Sequence, residues 1–149
     1  MGFGLGAAIG ASFGTGQKAV LITGDGSFGM NLNELATAVT YKTPIVIVLI
    51  NNGVLGMVRQ WQTLFFHKRY SNTVIERKTD FVKLAEAFGA KGKRVTTKDE
   101  FEAAFSEAMK SDEPYLIDTI IGIDEMVLPM LPPGGSIDDM ITSVEMEEN

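Results

Sequence analysis

Two short apolar segments, each followed at once by a polar turn that contains glycine, constrain the fold more than any other feature of the sequence. Residues 18–23 lead into the Gly-Asp-Gly turn at 24–26, and residues 45–50 lead into the Asn-Asn-Gly turn at 51–53. Segments that are apolar on both faces are typical of strands in a parallel sheet covered by helices. Residues 31–41 carry apolar side chains at helical spacing and supply the connecting helix. We therefore predict an α/β domain in which a parallel sheet is sandwiched by helices.

The rest of the chain continues this alternation of helices and strands. The small residues of 1–15 indicate a tightly packed, buried helix. Residues 1–128 form the predicted domain, and residues 129–149 form a proline- and glycine-rich arm whose acidic end we expect to be frayed. The other predicted elements are an amphipathic or irregular segment at 57–66, a polar loop at 67–78, helices at 80–88 and after a capping box at 97–100, and strands at 94–96 and 115–121.

The composition excludes several classes of site and argues against two classes of partner. The chain of 149 residues has no cysteine and one histidine, which excludes disulfides, thiolate metal sites, cysteine nucleophiles and clusters of histidine ligands. Its net charge of −6 argues against nucleic acid as a partner. The apolar runs are too short to cross a bilayer, and the N-terminus lacks the basic residues of a signal peptide. We therefore expect a cytoplasmic protein with no membrane partner.

The glycine-rich segment at 24–29 can be interpreted in two ways. It fits the G-x-G-x-x-G pattern of nicotinamide- and flavin-binding oxidoreductases, and it lies between a strand and a helix as that pattern requires. However, Asp25 would repel a pyrophosphate unless a cation lies between them. The next strand also ends in Asn51 and Asn52 rather than in the acid that binds a ribose hydroxyl.

A divalent cation between Asp25 and a diphosphate would account for the same residues better. Parallel strands end at one edge of the sheet, so Asp25 and Asn52 would meet there if their strands are neighbours. Magnesium binds about six oxygens and takes one or two carboxylates together with phosphate. The Asp25 carboxylate, the Asn52 amide oxygen, the Val54 carbonyl, two diphosphate oxygens and a water would complete this set. Gly24 and Gly26 would let the backbone approach the phosphate, and the N–H groups around Ser27 would face it.

Longer motifs make the second interpretation specific. Gly-Asp-Gly at 24–26, followed about two dozen residues later by Asn51-Asn52, resembles the thiamine diphosphate signature. The segments GDGSFGMNLNELATAV, LINNGVLGMVRQWQ and VLPMLPPGG resemble the C-terminal thiamine diphosphate-binding domain of the acetolactate synthase large catalytic subunits, over essentially the whole chain. The block at 56–62 separates these enzymes from pyruvate oxidases and decarboxylases, which share only the general signature.

The resemblance implies a set of site residues. It makes Asp25 and Asn52 magnesium ligands, together with the Val54 carbonyl. It also implies that Trp61 lies at the substrate entrance, where it helps to select the second 2-ketoacid. Met1 aligns with the bulky residue beneath the thiazolium ring. The implied cofactor-binding residues are Met1, Gly24, Asp25, Gly26, Ser27, Asn52, Val54, Gly56 and Met57, and the implied substrate pocket consists of Met57, Val58 and Trp61.

The resemblance also implies an activity and partners. These enzymes condense pyruvate with a second 2-ketoacid, such as 2-ketobutyrate, in branched-chain amino-acid biosynthesis. Their activating glutamate belongs to the pyrimidine-binding domain of a partner subunit, so no catalytic residue is expected in this chain, and FAD binds to another domain. We therefore expect a homo-oligomer, with a regulatory small subunit as a further partner, and little activity from this chain alone. A nicotinamide- or flavin-binding oxidoreductase domain and a non-catalytic truncated module remain alternatives.

Overall fold

A parallel four-stranded sheet forms the centre of the protein. The computed structural model describes residues 1–75 and 78–143, and within them the strands are β1 (Ala19–Gly24), β2 (Ile45–Asn51), β3 (Lys91–Val95) and β4 (Tyr115–Ile120). The strand order is β1-β2-β4-β3, and every neighbouring pair is parallel. The predicted α/β class is therefore confirmed.

Helices connect these strands and cover both faces of the sheet. The predicted helix at 31–41 is shorter than expected, because residues 32–34 form a 3-10 turn before α3 begins. In the described part of the chain, the helices are α1 (Gly4–Thr15), α2 (Asp25–Phe28), α3 (Leu35–Thr40), α4 (Gly56–Phe65), α5 (Phe81–Phe88) and α6 (Lys98–Lys110).

Alternate side chains of β2 enter two separate hydrophobic cores, because successive residues of a strand point to opposite faces. One face contributes Ile45, Ile47 and Leu49 to a core with residues of α1, α3 and α5. The other face contributes Val46 and Val48 to a core with Val95 and with small residues of α6. Both faces of β2 are thus buried, as its uninterrupted apolar sequence predicts.

Two expectations about the strands need correction. The apolar β1 is not buried on both faces: it is an edge strand, and the side chains of Val20 and Ile22 are 43% and 71% exposed. The strand predicted at 94–96 begins three residues earlier, at Lys91, because the backbone pairs with β4 from Tyr115 onward, and its lysine side chains form ion pairs at the surface. In contrast, the capping box of Thr97 and Glu100 is present as predicted at the start of α6.

The chain beyond β4 contains short, local structure in place of regular elements. Val127 exchanges two hydrogen bonds with the side chain of Gln60 in α4, which fastens the chain before the predicted arm. Within that arm, Met130 and Ile141 form an isolated antiparallel bridge around a 3-10 turn at 137–139. The acidic end that we expect to be frayed lies outside the described residues from position 144 onward. Among the residues described, no helix is long and apolar enough to span a membrane.

Candidate cofactor site

The two polar turns identified in the sequence meet at the carboxyl edge of the sheet. β1 pairs directly with β2, and Gly24 lies opposite Ile50 in the register. Asp25 follows the end of β1 as the first residue of α2, and it is 4% exposed. Asn52 follows the end of β2. The expectation that the two strands are neighbours is therefore confirmed.

A cleft of about 450 Å³ opens at this edge. It brings together all nine residues that the resemblance assigns to the cofactor, and Val58 as well. Residues of β1 and β2 form its floor, and the beginning of α4 forms one wall. The residues that line it are Met1, Ile22, Thr23, Gly24, Asp25, Gly26, Ser27, Ile50, Asn52, Val54, Leu55, Gly56, Met57 and Val58.

The turn after β2 holds the Asn52 side chain in a defined position. The Oδ1 atom of Asn52 accepts a hydrogen bond of 3.1 Å from the backbone N–H of Val54. An amide oxygen has two lone pairs, so one remains for a cation. Gly53 has a φ angle of +69°, which favours glycine, and its carbonyl accepts a hydrogen bond from Ile75. Leu55 donates to the carbonyl of Thr73, so the turn is fastened to the loop at 73–75.

The beginning of the chain is clamped onto α2, an arrangement that the sequence does not predict. The backbone N–H of Gly2 donates to Oγ of Ser27 over 3.0 Å. The side chain of Asn31 donates to the carbonyl of Gly2 over 2.7 Å. These two hydrogen bonds place Met1 at the cleft, where its side chain approaches Gly26. The Ser27 hydroxyl accepts from Gly2 and keeps its own proton for a ligand.

Packing gives the glycine at position 26 a different role from the one we expected first. A β-carbon on Gly26 would lie 3.1 Å from Cδ2 of Leu55 and 3.3 Å from Cδ1 of Ile75. At Gly24, an added β-carbon would make only an ordinary contact of 3.9 Å with the carbonyl oxygen of Ile50. A side chain at position 26 would therefore crowd α2 against the opposite wall of the cleft, in addition to any effect on the approach of a phosphate.

The donor atoms in the cleft fit a hard divalent cation that is shared with an anionic ligand. Asp25 supplies a carboxylate, Asn52 an amide oxygen and Val54 a main-chain carbonyl, and magnesium prefers such oxygen ligands. The described residues contain no group of three or more histidine, cysteine or acidic side chains that could hold a metal. A cation here would therefore need oxygens from the ligand, as the diphosphate hypothesis requires.

A second cleft, of about 410 Å³, adjoins the first on the surface of α4. Met57 and Val58 line both clefts, and Trp61, Gln62, Phe66 and Arg69 complete the second. Trp61 is 38% exposed and meets Phe65 edge to face with their ring centroids 5.6 Å apart. The structure therefore places Trp61 beside the cofactor cleft, on an exposed wall and not in the core.

Comparison with known proteins decides between the two interpretations of the glycine-rich segment. A family model described as thiamine pyrophosphate enzyme, C-terminal TPP binding domain, matches residues 1–119. The chain belongs to this family. The match favours the thiamine diphosphate interpretation over the nicotinamide or flavin alternative.

The relatives of this chain narrow the family further. It is 49% identical to the acetolactate synthase isozyme 2 large subunit of Escherichia coli (strain K12), over 95% of this chain and 26% of that protein. It is 45% identical to the probable acetolactate synthase large subunit of Methanocaldococcus jannaschii, over 99% of this chain and 25% of that protein. The chain thus spans about a quarter of the length of these relatives and is similar to the C-terminal part of acetolactate synthase large subunits.

A solved structure shows the same fold. The thiamine diphosphate-dependent 4-hydroxybenzoylformate decarboxylase of Rhodococcus jostii RHA1 superimposes with a TM-score of 0.77 and is 35% identical in sequence. The similarity covers 85% of this chain and 24% of that one. The predicted thiamine diphosphate-binding fold is therefore confirmed.

Proposed function

We propose that this chain is the diphosphate- and magnesium-anchoring domain of a thiamine diphosphate-dependent acetolactate synthase. The observation that carries the proposal is the convergence of Asp25, Asn52 and Val54 in one cleft, in a chain whose relatives are acetolactate synthase large subunits. The charge and the oxygen donors of this cleft match a magnesium diphosphate better than an uncharged ligand.

Each group in the cleft would contribute to holding the cofactor. Asp25 supplies the negative charge that magnesium requires, and Asn52 and Val54 supply neutral oxygens. Gly26 and Ser27 lie in the first turn of α2, where backbone N–H groups can donate to a phosphate. The side chain of Met1 would support the thiazolium ring from below. Bound thiamine diphosphate would supply a thiazolium carbon that attacks the ketone of a 2-ketoacid.

The second cleft would admit the substrates of the complete enzyme. We propose that pyruvate and a second 2-ketoacid, such as 2-ketobutyrate, pass along Met57, Val58 and Trp61, and that the products serve branched-chain amino-acid biosynthesis. The apolar side chains of this wall would pack against the alkyl group of the second ketoacid and exclude water from it.

The remaining parts of the reaction would come from elsewhere in the enzyme. We propose that the activating glutamate belongs to the pyrimidine-binding domain of a partner subunit in a cytoplasmic homodimer, that FAD binds to another domain, and that a regulatory small subunit can join the assembly. On this proposal the chain by itself forms no acetolactate, because the groups that contact the aminopyrimidine ring would come from the pyrimidine-binding domain of the partner.

Binding measurements with and without metal test this proposal. We expect calorimetry to detect weak binding of thiamine diphosphate in magnesium and to detect none in EDTA. NAD and FAD serve as controls and should not bind to the chain under either condition. Binding of NAD or FAD without metal, or binding of thiamine diphosphate that is insensitive to EDTA, would contradict the proposal.

A further inference from the structure

A fully buried carboxylate lies behind the candidate site, and the proposed function does not yet use it. Asp118, in the middle of β4, has no exposed surface. One of its oxygens accepts a hydrogen bond of 2.8 Å from the side-chain amide of Asn51. The other accepts a hydrogen bond of 2.9 Å from Nε of Arg94 on the neighbouring strand β3. Asp118 lies on β4, between β2 and β3, and its two hydrogen bonds therefore connect the end of β2 to β3.

The charge of Asp118 is balanced by a short chain of ionic groups that ends at the surface. Arg94 also donates from Nη2 to the carboxylate of Asp80 over 2.9 Å. Its hydrogen bond with Asp118 is the main cause that raises the pKa of the Arg94 guanidinium. A buried carboxylate without such a partner would be strongly destabilising.

Stability alone does not account for a charge at this position. The preceding residues of β4, Leu116 and Ile117, are apolar and fully buried. Replacement of a buried ion pair by apolar side chains of similar volume is often neutral or stabilising. We therefore ask which side chain the Asp118 carboxylate orients. At the cleft end of the sheet, this side chain is that of Asn51.

Asn51 is the last residue of β2, and the candidate metal ligand Asn52 follows it directly. We propose that Asp118 is a positioning residue for the metal-binding turn and acts by fixing the side chain of Asn51. The proposal rests on the proposed function for its consequence in cofactor binding. With Asn51 fixed at one end and Gly53 and Leu55 fastened to the loop at 73–75, the Asn52 side chain has little freedom to leave the cleft.

The variant Asp118→Asn tests the proposal. Asn51 and Arg94 contact different oxygens of the Asp118 carboxylate, and an asparagine replaces one of these oxygens by a neutral NH2 group, so the charge-assisted hydrogen bond with Asn51 is lost. The direct reporter is the backbone N–H of Val54, because its acceptor is the Oδ1 atom of Asn52 itself. We expect about tenfold faster hydrogen exchange at this amide in the free chain, and about tenfold weaker binding of thiamine diphosphate with magnesium, since a charge-assisted hydrogen bond is lost.

Asp80→Asn is the matched control. It removes the charge of the other carboxylate that Arg94 contacts, at the N-cap of α5 where Asp80 accepts from Lys83, but it leaves the hydrogen bond between Asp118 and Asn51 intact. We expect this variant to unfold more easily while exchange at Val54 and cofactor affinity stay close to wild type. Equal effects of the two variants on Val54 would overturn the proposal, because Asp118 would then act only through general stability.

A reciprocal exchange of side chains provides a rescue. In the double variant Asn51→Asp/Asp118→Asn, the new asparagine can accept from Arg94 and donate to the new aspartate. We expect slow exchange at Val54 to return, and its failure to return would contradict the proposal. If Asp118→Asn does not fold, Asn51→Ala tests the proposal instead, because it removes the half-buried donor of the same hydrogen bond. Exchange at Val54 as slow as in the wild type would then overturn the proposal.

The outcomes separate this proposal from the proposed function. Wild-type chain that shows no magnesium-dependent binding of thiamine diphosphate would overturn the proposed function. The exchange rates at Val54 in the free chain would still decide whether Asp118 positions the turn. Normal cofactor binding with unchanged exchange in Asp118→Asn would overturn only the positioning role.

Discussion

The side chain of Asn52 occupies the space in which a side chain at Gly56 would begin. A β-carbon on Gly56 would lie 2.8 Å from Nδ2 of Asn52, which is closer than real β-carbons approach a neighbouring heavy atom. Gly56 is the first residue of α4, so the helix that forms one wall of the cleft begins against the candidate metal ligand. The cofactor turn and the substrate wall are therefore coupled through this one contact.

Gly56→Ala should weaken the binding of thiamine diphosphate with magnesium about tenfold, because the new methyl group displaces the Asn52 amide from the cleft. Calorimetry measures the affinity, and thermal unfolding measures the stability. Gly10→Ala is the control: a β-carbon there meets no atom within 4 Å, and alanine favours the helix, so stability should rise and affinity should not change. Unchanged affinity in Gly56→Ala would contradict the coupling of Gly56 to the position of the Asn52 amide.

Lys18 ties the beginning of β1 to the end of α6. Its Nζ atom donates to the carbonyl of Met109 over 2.8 Å, to that of Ala108 over 3.3 Å and to that of Ser111. The Ala108 carbonyl also accepts from the backbone N–H of Ser111, and a cation at these last carbonyls of a helix is favourable. Lys18→Gln should lower the free energy of unfolding by about 1–2 kcal/mol, as measured by urea denaturation.

Lys98→Gln is the control for that measurement. Lys98 is 86% exposed and forms a surface pair with Glu102 within α6, so its loss should change stability by less than about 0.5 kcal/mol. Similar losses in the two variants would mean that the contacts of Lys18 with the end of α6 add nothing beyond an ordinary surface charge.

The positions of the site were predictable because they depend on local patterns. Gly-Asp-Gly and Asn-Asn-Gly each follow an apolar run, and parallel strands must end at a common edge, so the meeting of Asp25 and Asn52 follows once β1 and β2 are neighbours. The capping box of Thr97 was predictable for a similar reason, because the pattern that indicates it lies within four consecutive residues.

Features that depend on distant parts of the chain were not predictable. Val20 and Ile22 are apolar, like the residues of a central strand, and only the sheet order reveals that β1 lies at an edge. The hydrogen bond of Asp118 with Asn51 joins residues 67 positions apart, so no local pattern identifies Asn51 as the partner. Its signal was one acidic residue within an otherwise apolar strand, which usually requires a buried partner.

Stability at high pH should depend on Tyr115. Burial of the phenol, together with the nearby Glu107 carboxylate, raises the pKa of Tyr115 to about 12. The unfolded chain has a tyrosine pKa of about 10, so the folded state holds this proton more tightly. The resulting contribution to stability is complete below the unfolded pKa and is lost as pH rises from about 10 through about 12.

Tyr115→Phe removes this dependence. Relative to the variant, the wild type should lose up to about 1.4 kcal/mol of unfolding free energy per pH unit between the two pKa values, as measured by urea denaturation over that range. The comparison cancels the titration of lysines, which both proteins share. Parallel profiles would show that Tyr115 loses its proton as easily in the folded state as in the unfolded chain.

Trp61→Leu, in an acetolactate synthase that contains this domain, should change the choice between pyruvate and 2-ketobutyrate as the second substrate. The variant removes an aromatic wall of the second cleft and leaves the residues of the cofactor cleft in place. A competition assay with both ketoacids reports the product ratio, and Phe105→Leu on α6 serves as a packing control. If only stability falls and the ratio stays the same, Trp61 does not contact the substrate.

Binding of magnesium and diphosphate at the cleft depends most directly on the carboxylate of Asp25, which we propose as the charged magnesium ligand. Calorimetric titration of wild type and Asp25→Asn with thiamine diphosphate, in magnesium and in EDTA, isolates this role. Asp99→Asn, an exposed aspartate in the first turn of α6, controls for the change in net charge. We expect the binding that depends on magnesium to disappear in Asp25→Asn and to persist in Asp99→Asn. Equal affinity of wild type and Asp25→Asn in magnesium would contradict the assignment of the site.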